Sequence, residues 1–262
     1  MVMTDGTSSA STAPNFLEDW DVRGYLDEYY GYAEVPSPSR SLLRFLTGSL
    51  QRIDRIFPSA LDFGCGPTLI HAAALAPWVR QLEMADFQPN NLEAIEHWLR
   101  AEPTAFDWST YIAGAGGVLD IEGRGEVRAS REALMRQQIR TRIGDITREL
   151  PLGEPASFPL VTSFFSLEWV VPTVEAWRGH VARLVAMLEP GGWLLMAVLH
   201  DGDGLLIGGR PYRCARVTEG AVRDLLLELD FDPDTIHTEL GAPCIEEGQP
   251  PHRDLLVCAR KR

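Results

Sequence analysis

The stretch LDFGCGPTLI, residues 61–70, is an apolar run that breaks into Gly64 and Gly66, meets Pro67, and then starts a helical pattern. A strand that ends in a Gly-x-Gly turn at the start of a helix lets backbone approach a ligand closely. Nucleotides and several other cofactors use that geometry, so the flanking sequence has to choose among them. A dinucleotide fingerprint needs a third glycine three residues after Gly66, and Leu69 stands there. The Gly-Lys-Ser/Thr of a phosphate loop is absent. What the next β-α step offers is Asp86, 22 residues after Gly64, at the end of a second apolar run. A carboxylate there can accept both hydroxyls of a ribose. With Asp145 ending a third run, the pattern suits S-adenosylmethionine better than NAD.

Strands and helices alternate on both sides of this turn. Leu42, Leu43, Leu46, Leu50 and Ile53 predict an amphipathic helix over 39–56, closed by Pro58. Strands are predicted at ALDF (60–63), QLEMADF (81–87), IRTRIGDIT (139–147), FPLVTSFFS (158–166) and GGWLLMAVL (191–199), with two late ones near 235–239 and 255–259. Helices are expected at 68–76, 90–100, 131–138, 174–188 and 219–228. Continuous apolar strands in β-α alternation imply a mainly parallel sheet covered on both faces, with the ligand crevice along the strands' C-terminal ends. The aromatic-rich segment 16–32 precedes this core, with Leu26, Tyr29 and Tyr30 at helical spacing from Tyr25. Residues 1–14 read as a flexible leader. Residues 15–262 read as one domain, with 15–57 a helical lid and 58–262 the core.

Composition narrows the function. The chain has 262 residues, 45% hydrophobic and 23% charged, with a net charge of −13. No long basic run is present, which argues against nucleic-acid tracking and anionic membrane surfaces. The most basic stretch, 124–148, is interrupted by acids. Cys65, Cys214, Cys244 and Cys258 are scattered and read as reduced thiols of a cytoplasmic protein. No apolar run is long enough to span a membrane, and the N-terminus lacks a secretory signal pattern. His71, His97 and His180 lie in helical patterns and read as structural; HDGDG (200–204) reads as a polar turn rather than a metal loop.

The segments YLDEYYGYA (25–33), LDFGCGPTLI, ADFQPNNLEAIEHWLRAEPTAFDWS (85–109) and IGDIT (143–147) resemble the nicotinamide, phenylethanolamine and thioether methyltransferase family. The run Glu102–Ser109 is the most telling. The resemblance implies an α/β fold of the Rossmann-like class I methyltransferase type: a mainly parallel seven-stranded sheet, helices on both faces, and an N-terminal helical lid. By position, it implies that Gly64 and Gly66 face the methionine part of S-adenosylmethionine. Asp86 and Asn91 then bind the ribose, Asp145 accepts from the adenine amino group, and Ile146 offers its backbone amide. Tyr25, Tyr30 and Thr68 hold the methionine carboxylate, a role that a hydroxyl donor fills without adding charge.

Departures from the family fall on the acceptor side. Ile70 stands where the nicotinamide enzyme has a tyrosine, Phe164 where it has a threonine, and Trp169 replaces a small residue. Tyr29, Phe164, Phe165 and Trp169 are the candidate aromatic walls for the acceptor. Glu168 matches an acidic residue that faces the amine in the phenylethanolamine enzyme. His200 and Asp201 follow the fifth strand on the same sheet edge, so Glu168, His200 and Asp201 are the candidate catalytic groups. The expected activity is methyl transfer to a small aromatic or heteroaromatic acceptor at nitrogen, in bacterial secondary metabolism, with no metal. C3-methylation of an indole in physostigmine-like alkaloid synthesis is the alternative. A non-catalytic S-adenosylmethionine-binding protein is the alternative of another class. Acceptor identity and oligomeric state are left open.

Overall fold

A computed structural model describes residues 20–117, 124–245 and 251–262; the expected leader, 1–14, lies outside them. At its centre is a seven-stranded sheet of order β3-β2-β1-β4-β5-β9-β8. Its strands are β1 (Ala60–Phe63), β2 (Leu82–Asp86), β3 (Ile139–Ile143), β4 (Phe158–Phe164), β5 (Leu188–Leu199), β8 (His237–Leu240) and β9 (Asp254–Arg260). β1 to β5 pair in parallel, whereas β9 runs antiparallel to both β5 and β8. A separate two-stranded hairpin, β6 (Gly204–Ile207) with β7 (Arg210–Arg213), was not anticipated. This is the class I methyltransferase arrangement expected from the sequence. The order reverses between β1 and β4, and in such sheets the ligand crevice opens at that reversal.

Alternation along each strand sorts side chains to the two faces. Leu194, Met196 and Val198 of β5 join one apolar cluster, with Trp177, Val181 and Leu184 of α7 (Val174–Ala186) and Val222, Leu225 and Leu226 of α8 (Glu219–Glu228). Leu195 and Ala197 join the other, with residues of α2 (Ser37–Ile53), α3 (Ile70–Leu75), α4 (Pro89–Leu99), α5 (Ser109–Gly117) and α6 (Arg124–Gln138). A sheet buried on both faces demands the near-continuous apolar strands seen in the sequence. No helix among the described residues is long and apolar enough to cross a membrane.

The two N-terminal helices differ in how they are held. α1 (Val22–Tyr30), capped by Asp21 accepting from the Gly24 N–H, buries only Leu26 completely. α2 buries seven residues, among them Leu43, Leu46 and Leu50, all with no exposed surface. Displacing α2 would therefore open the core widely, while displacing α1 would free only one fully buried residue of its own, Leu26. Leu46→Ala is expected to cost about 2–5 kcal/mol of stability, the range for large-to-small changes at a packed site. Urea unfolding checks it, and a loss below about 1 kcal/mol would make α2 peripheral.

Candidate active site

The C-terminal ends of β1, β2, β3, β4 and β5 surround a cavity of about 700 Å³, roofed by α1 and the β6–β7 hairpin. Gly64 and Gly66 line it in left-handed backbone, with φ of 70° and 58°. A Cβ on Gly64 would lie 1.8 Å from Ser166 Oγ, so only glycine lets β1 and the β4 turn meet here. The N–H groups of Gly64 and Cys65 both donate to the Ala85 carbonyl, at 2.7 and 3.1 Å.

Asp86 is the organising acid. It sits at the end of β2 with 7% of its surface exposed. Its Oδ2 accepts from the Gly66 N–H (2.8 Å); its Oδ1 accepts from the Gln88 N–H (2.8 Å) and Asn91 Nδ2 (3.0 Å). Burial pushes its pKa above the ordinary value, and those three donors hold the rise down. A carboxylate has about four acceptor sites, so about one remains for a ligand hydroxyl. Asn91 is braced in turn, because its Oδ1 accepts from the Trp20 indole N–H at 2.7 Å.

Asp145 borders the cavity beyond the end of β3, with Ile146 beside it. Burial favours its neutral form, but the Thr147 hydroxyl and N–H and the Arg148 guanidinium outweigh burial and hold its pKa below the usual range. Tyr25 and Tyr30 reach the cavity from α1, their hydroxyls hydrogen-bonded to each other and kept protonated by burial. Their rings lie 5.9 Å apart, and Tyr30 packs against Trp108 and Tyr111. Tyr29 also lines the cavity, and its hydroxyl donates to the Leu206 carbonyl at 3.2 Å. Phe165 (φ 50°) and Trp169 form an aromatic wall after β4.

Other expected residues stand elsewhere. Thr68 is buried within the glycine turn, where its hydroxyl donates to the Cys65 carbonyl (2.9 Å). It does not border the cavity. Phe164 points the opposite way from Phe165, against His71 of α3 with ring centroids 4.2 Å apart. His200 pairs with Val217 in an isolated bridge outside the cavity lining. Asp201, in left-handed backbone at φ 52°, binds Arg216 at 2.7 Å on the surface, and that guanidinium holds its pKa low. The structure thus does not bring His200 and Asp201 to the crevice. Glu168 is fully buried behind the wall; its Oε1 accepts from the Leu199 N–H at 3.1 Å, and its Oε2 has no donor. Burial pushes its pKa up to about 7.

The carboxylate that does border the cavity on this side is Asp254, which sequence reasoning missed. The only available signal was an acid directly before a late apolar strand.

A profile of the NNMT/PNMT/TEMT family matches residues 9–260. The chain belongs to that family. It is 28% identical over 226 residues to indolethylamine N-methyltransferase of Mus musculus, covering 80% of this chain and 83% of that enzyme. To nicotinamide N-methyltransferase of Homo sapiens it is 27% identical, covering 87% of each. Among solved structures, magnesium protoporphyrin IX methyltransferase from Synechocystis PCC 6803, with bound S-adenosylmethionine, superposes with a TM-score of 0.58. That pair is 11% identical, covers 94% of this chain and 93% of that one, and shows the shared fold. The chain is an S-adenosylmethionine-dependent methyltransferase. Its crevice fits that cofactor: the glycine cradle leaves room where a Cβ would stand, Asp86 keeps acceptor capacity, and among the described residues no Lys or Arg borders the cavity to repel a sulfonium.

Two substitutions test this cradle. Asp86→Ala strands the Gly66 and Gln88 N–H groups as well as removing an acceptor. It is expected to weaken S-adenosylhomocysteine binding by about 2–3 kcal/mol in calorimetry, and near-wild-type affinity in a folded variant would refute the assignment. Gly64→Ala is expected to abolish that binding, with partial recovery when Ser166→Gly removes the clash.

Proposed function

We propose that the enzyme transfers a methyl group to a nitrogen of a small aromatic or heteroaromatic acceptor. The observation that carries this reading is the continuity of one cavity, from the glycine turn and Asp86 to the wall of Phe165 and Trp169. A flat ring against that wall lies within reach of whatever the turn holds. At about 700 Å³ the cavity falls within the size range of small-molecule sites. The N-methyltransferase names of the amine and nicotinamide relatives favour nitrogen over carbon.

When bound, S-adenosylmethionine supplies an electrophilic methyl group on sulfur. The protein's task is then alignment and exclusion of water. Asp86 accepts from a ribose hydroxyl, with Asn91 fixing its orientation. Asp145 and the Ile146 backbone receive the adenine. Gly64 and Gly66 let the methionine portion lie on the backbone, and the phenols of Tyr25 and Tyr30 bind its carboxylate as neutral donors. Their ring faces also suit a neighbouring sulfonium.

α1 is the lid in this scheme. It is pinned to the hairpin by Tyr29 on Leu206 and by the Gly208 N–H donating to the Glu28 carboxylate at 2.9 Å. Lifting the helix uncovers one fully buried residue of its own, Leu26. Hydrogen exchange over residues 22–30 is expected to slow when S-adenosylhomocysteine is added; unchanged exchange would leave α1 as fixed packing. The activity itself is tested by screening amines, pyridines and indoles by mass spectrometry for a gain of one CH₂, with the methylated atom assigned by NMR. A product methylated on carbon would overturn the nitrogen reading.

A further inference from the structure

Asn91 stands in the first turn of α4, buried against the end of β2. Its side-chain amide has two ends of nearly equal size and opposite function, the acceptor Oδ1 and the donor Nδ2. Shape alone does not decide which end faces Asp86; the partners do. The Asp86 carboxylate, which only accepts when charged, takes Nδ2 at 3.0 Å. The Trp20 indole N–H, which only donates, reaches Oδ1 at 2.7 Å. The amide is bracketed by one group of each kind. Turned over, it would set Oδ1 against the carboxylate and Nδ2 against the indole N–H, and both bonds would be lost.

These two partners belong to different parts of the fold. Trp20 directly precedes Asp21, the N-cap of α1, so it travels with the lid. Its ring packs on Tyr25 of α1, with centroids 4.8 Å apart, and borders the cavity. α4 is anchored by Leu92, Ile95 and Trp98, all buried, whereas α1 buries only Leu26 completely. The Trp20–Asn91 bond therefore joins the loosely held element to the fixed one, at the side chain that orients Asp86.

We propose that Trp20 is a positioning residue for the cofactor's ribose: its indole N–H holds the Asn91 amide with Nδ2 toward Asp86, and so makes seating of the lid part of ribose recognition. This rests on the assignment of Asp86 to the ribose. The acid keeps its open acceptor site aimed into the cavity while Asn91 is held, and Asn91 is held while α1 is down. The linkage runs both ways, because two events that favour one arrangement favour each other by the same factor. A ribose hydroxyl on Asp86 tightens the indole bond as much as the bond tightens the ribose. Phenylalanine would pack on Tyr25 in the same way but has no donor, so the role belongs to the N–H rather than to the ring.

The test is a double-mutant cycle in the full chain, read by calorimetry with S-adenosylhomocysteine, over wild type, Trp20→Phe, Asn91→Ala and the two together. Trp20 is half-buried and the variant keeps a ring there, so the fold is expected to stand. Trp20→Phe is expected to weaken binding at least about threefold, within the range for one hydrogen bond. Beside Asn91→Ala the same change should cost less than about twofold, and beside Tyr25→Phe it should cost its full factor. A smaller loss in the single variant overturns the proposal. So does a loss that persists beside Asn91→Ala or vanishes beside Tyr25→Phe, because Trp20 would then act by packing or through the tyrosines. Failure of the ribose assignment is a different result, in which Asn91→Ala and Asp86→Ala both bind as wild type does.

Wild type gives a second readout that needs no variant to fold. In isotope-labelled protein, NMR is expected to show the Trp20 indole N–H exchanging with solvent at least about threefold more slowly under saturating S-adenosylhomocysteine, the reciprocal of the affinity gain. Unchanged or faster exchange would make the ligand and the bond independent, and overturns the proposal.

Discussion

The Gly66 N–H and the Asp86 carboxylate meet at 2.8 Å, and the crevice depends on that bond. A strand that stops at the centre of a parallel sheet leaves its last N–H groups without ladder partners. A carboxylate at the same edge is buried without a cation. Each supplies what the other lacks, and the bond draws the glycine turn after β1 onto the end of β2. The Gly144 N–H then donates to the Asp86 carbonyl at 2.9 Å, bringing the end of β3 into the same line. On the other side, the missing Cβ of Gly64 admits Ser166, so β4 closes against the turn as well. Four strand ends are thereby set around one space before any ligand enters.

The sheet was legible because burial on both faces leaves a plain mark, runs such as ALDF and LVTSFF with no polar alternation. The residues at the ends of β1, β2 and β3 followed from topology once those runs were placed. Local rules failed where packing overrides propensity. α5 contains Gly114, Gly116 and Gly117, poor helix formers. It forms because Tyr111, Ile112 and Ala115 are buried, and Gly114 is required there: a Cβ would lie 2.7 Å from Val35 Cγ2. The β6–β7 hairpin turns through Gly208 and Gly209, both left-handed, within a stretch too short and polar at its ends to stand out.

The acceptor side was misjudged for a reason of direction. Reasoning from strand C-termini leads past β5 to His200 and Asp201, which are at the correct edge in sequence. The chain turns away at Asp201, whose left-handed backbone carries its carboxylate to Arg216. The residue that occupies the edge comes instead from the start of an antiparallel strand 53 positions later, Asp254. Phe164 and Phe165 show the same sensitivity at shorter range. One strand position, together with a reversal of φ, sends the first ring into the core beside His71 and the second into the cavity.

Among the described residues three acids and no Lys or Arg border the cavity, yet the acids are not equivalent. Asp86 accepts from three donors and Asp145 from Thr147 and Arg148, so each keeps its orientation whether or not a ligand is present. Such preorganised acceptors cost little at the moment of binding and discriminate by geometry. Asp254 and Glu168, desolvated and short of donors, are poised to exchange a proton near neutrality. Fixed orientation suits the recognition of one invariant cofactor. The fold thus sets how firmly each carboxylate is held by how many N–H and O–H groups it aims at it.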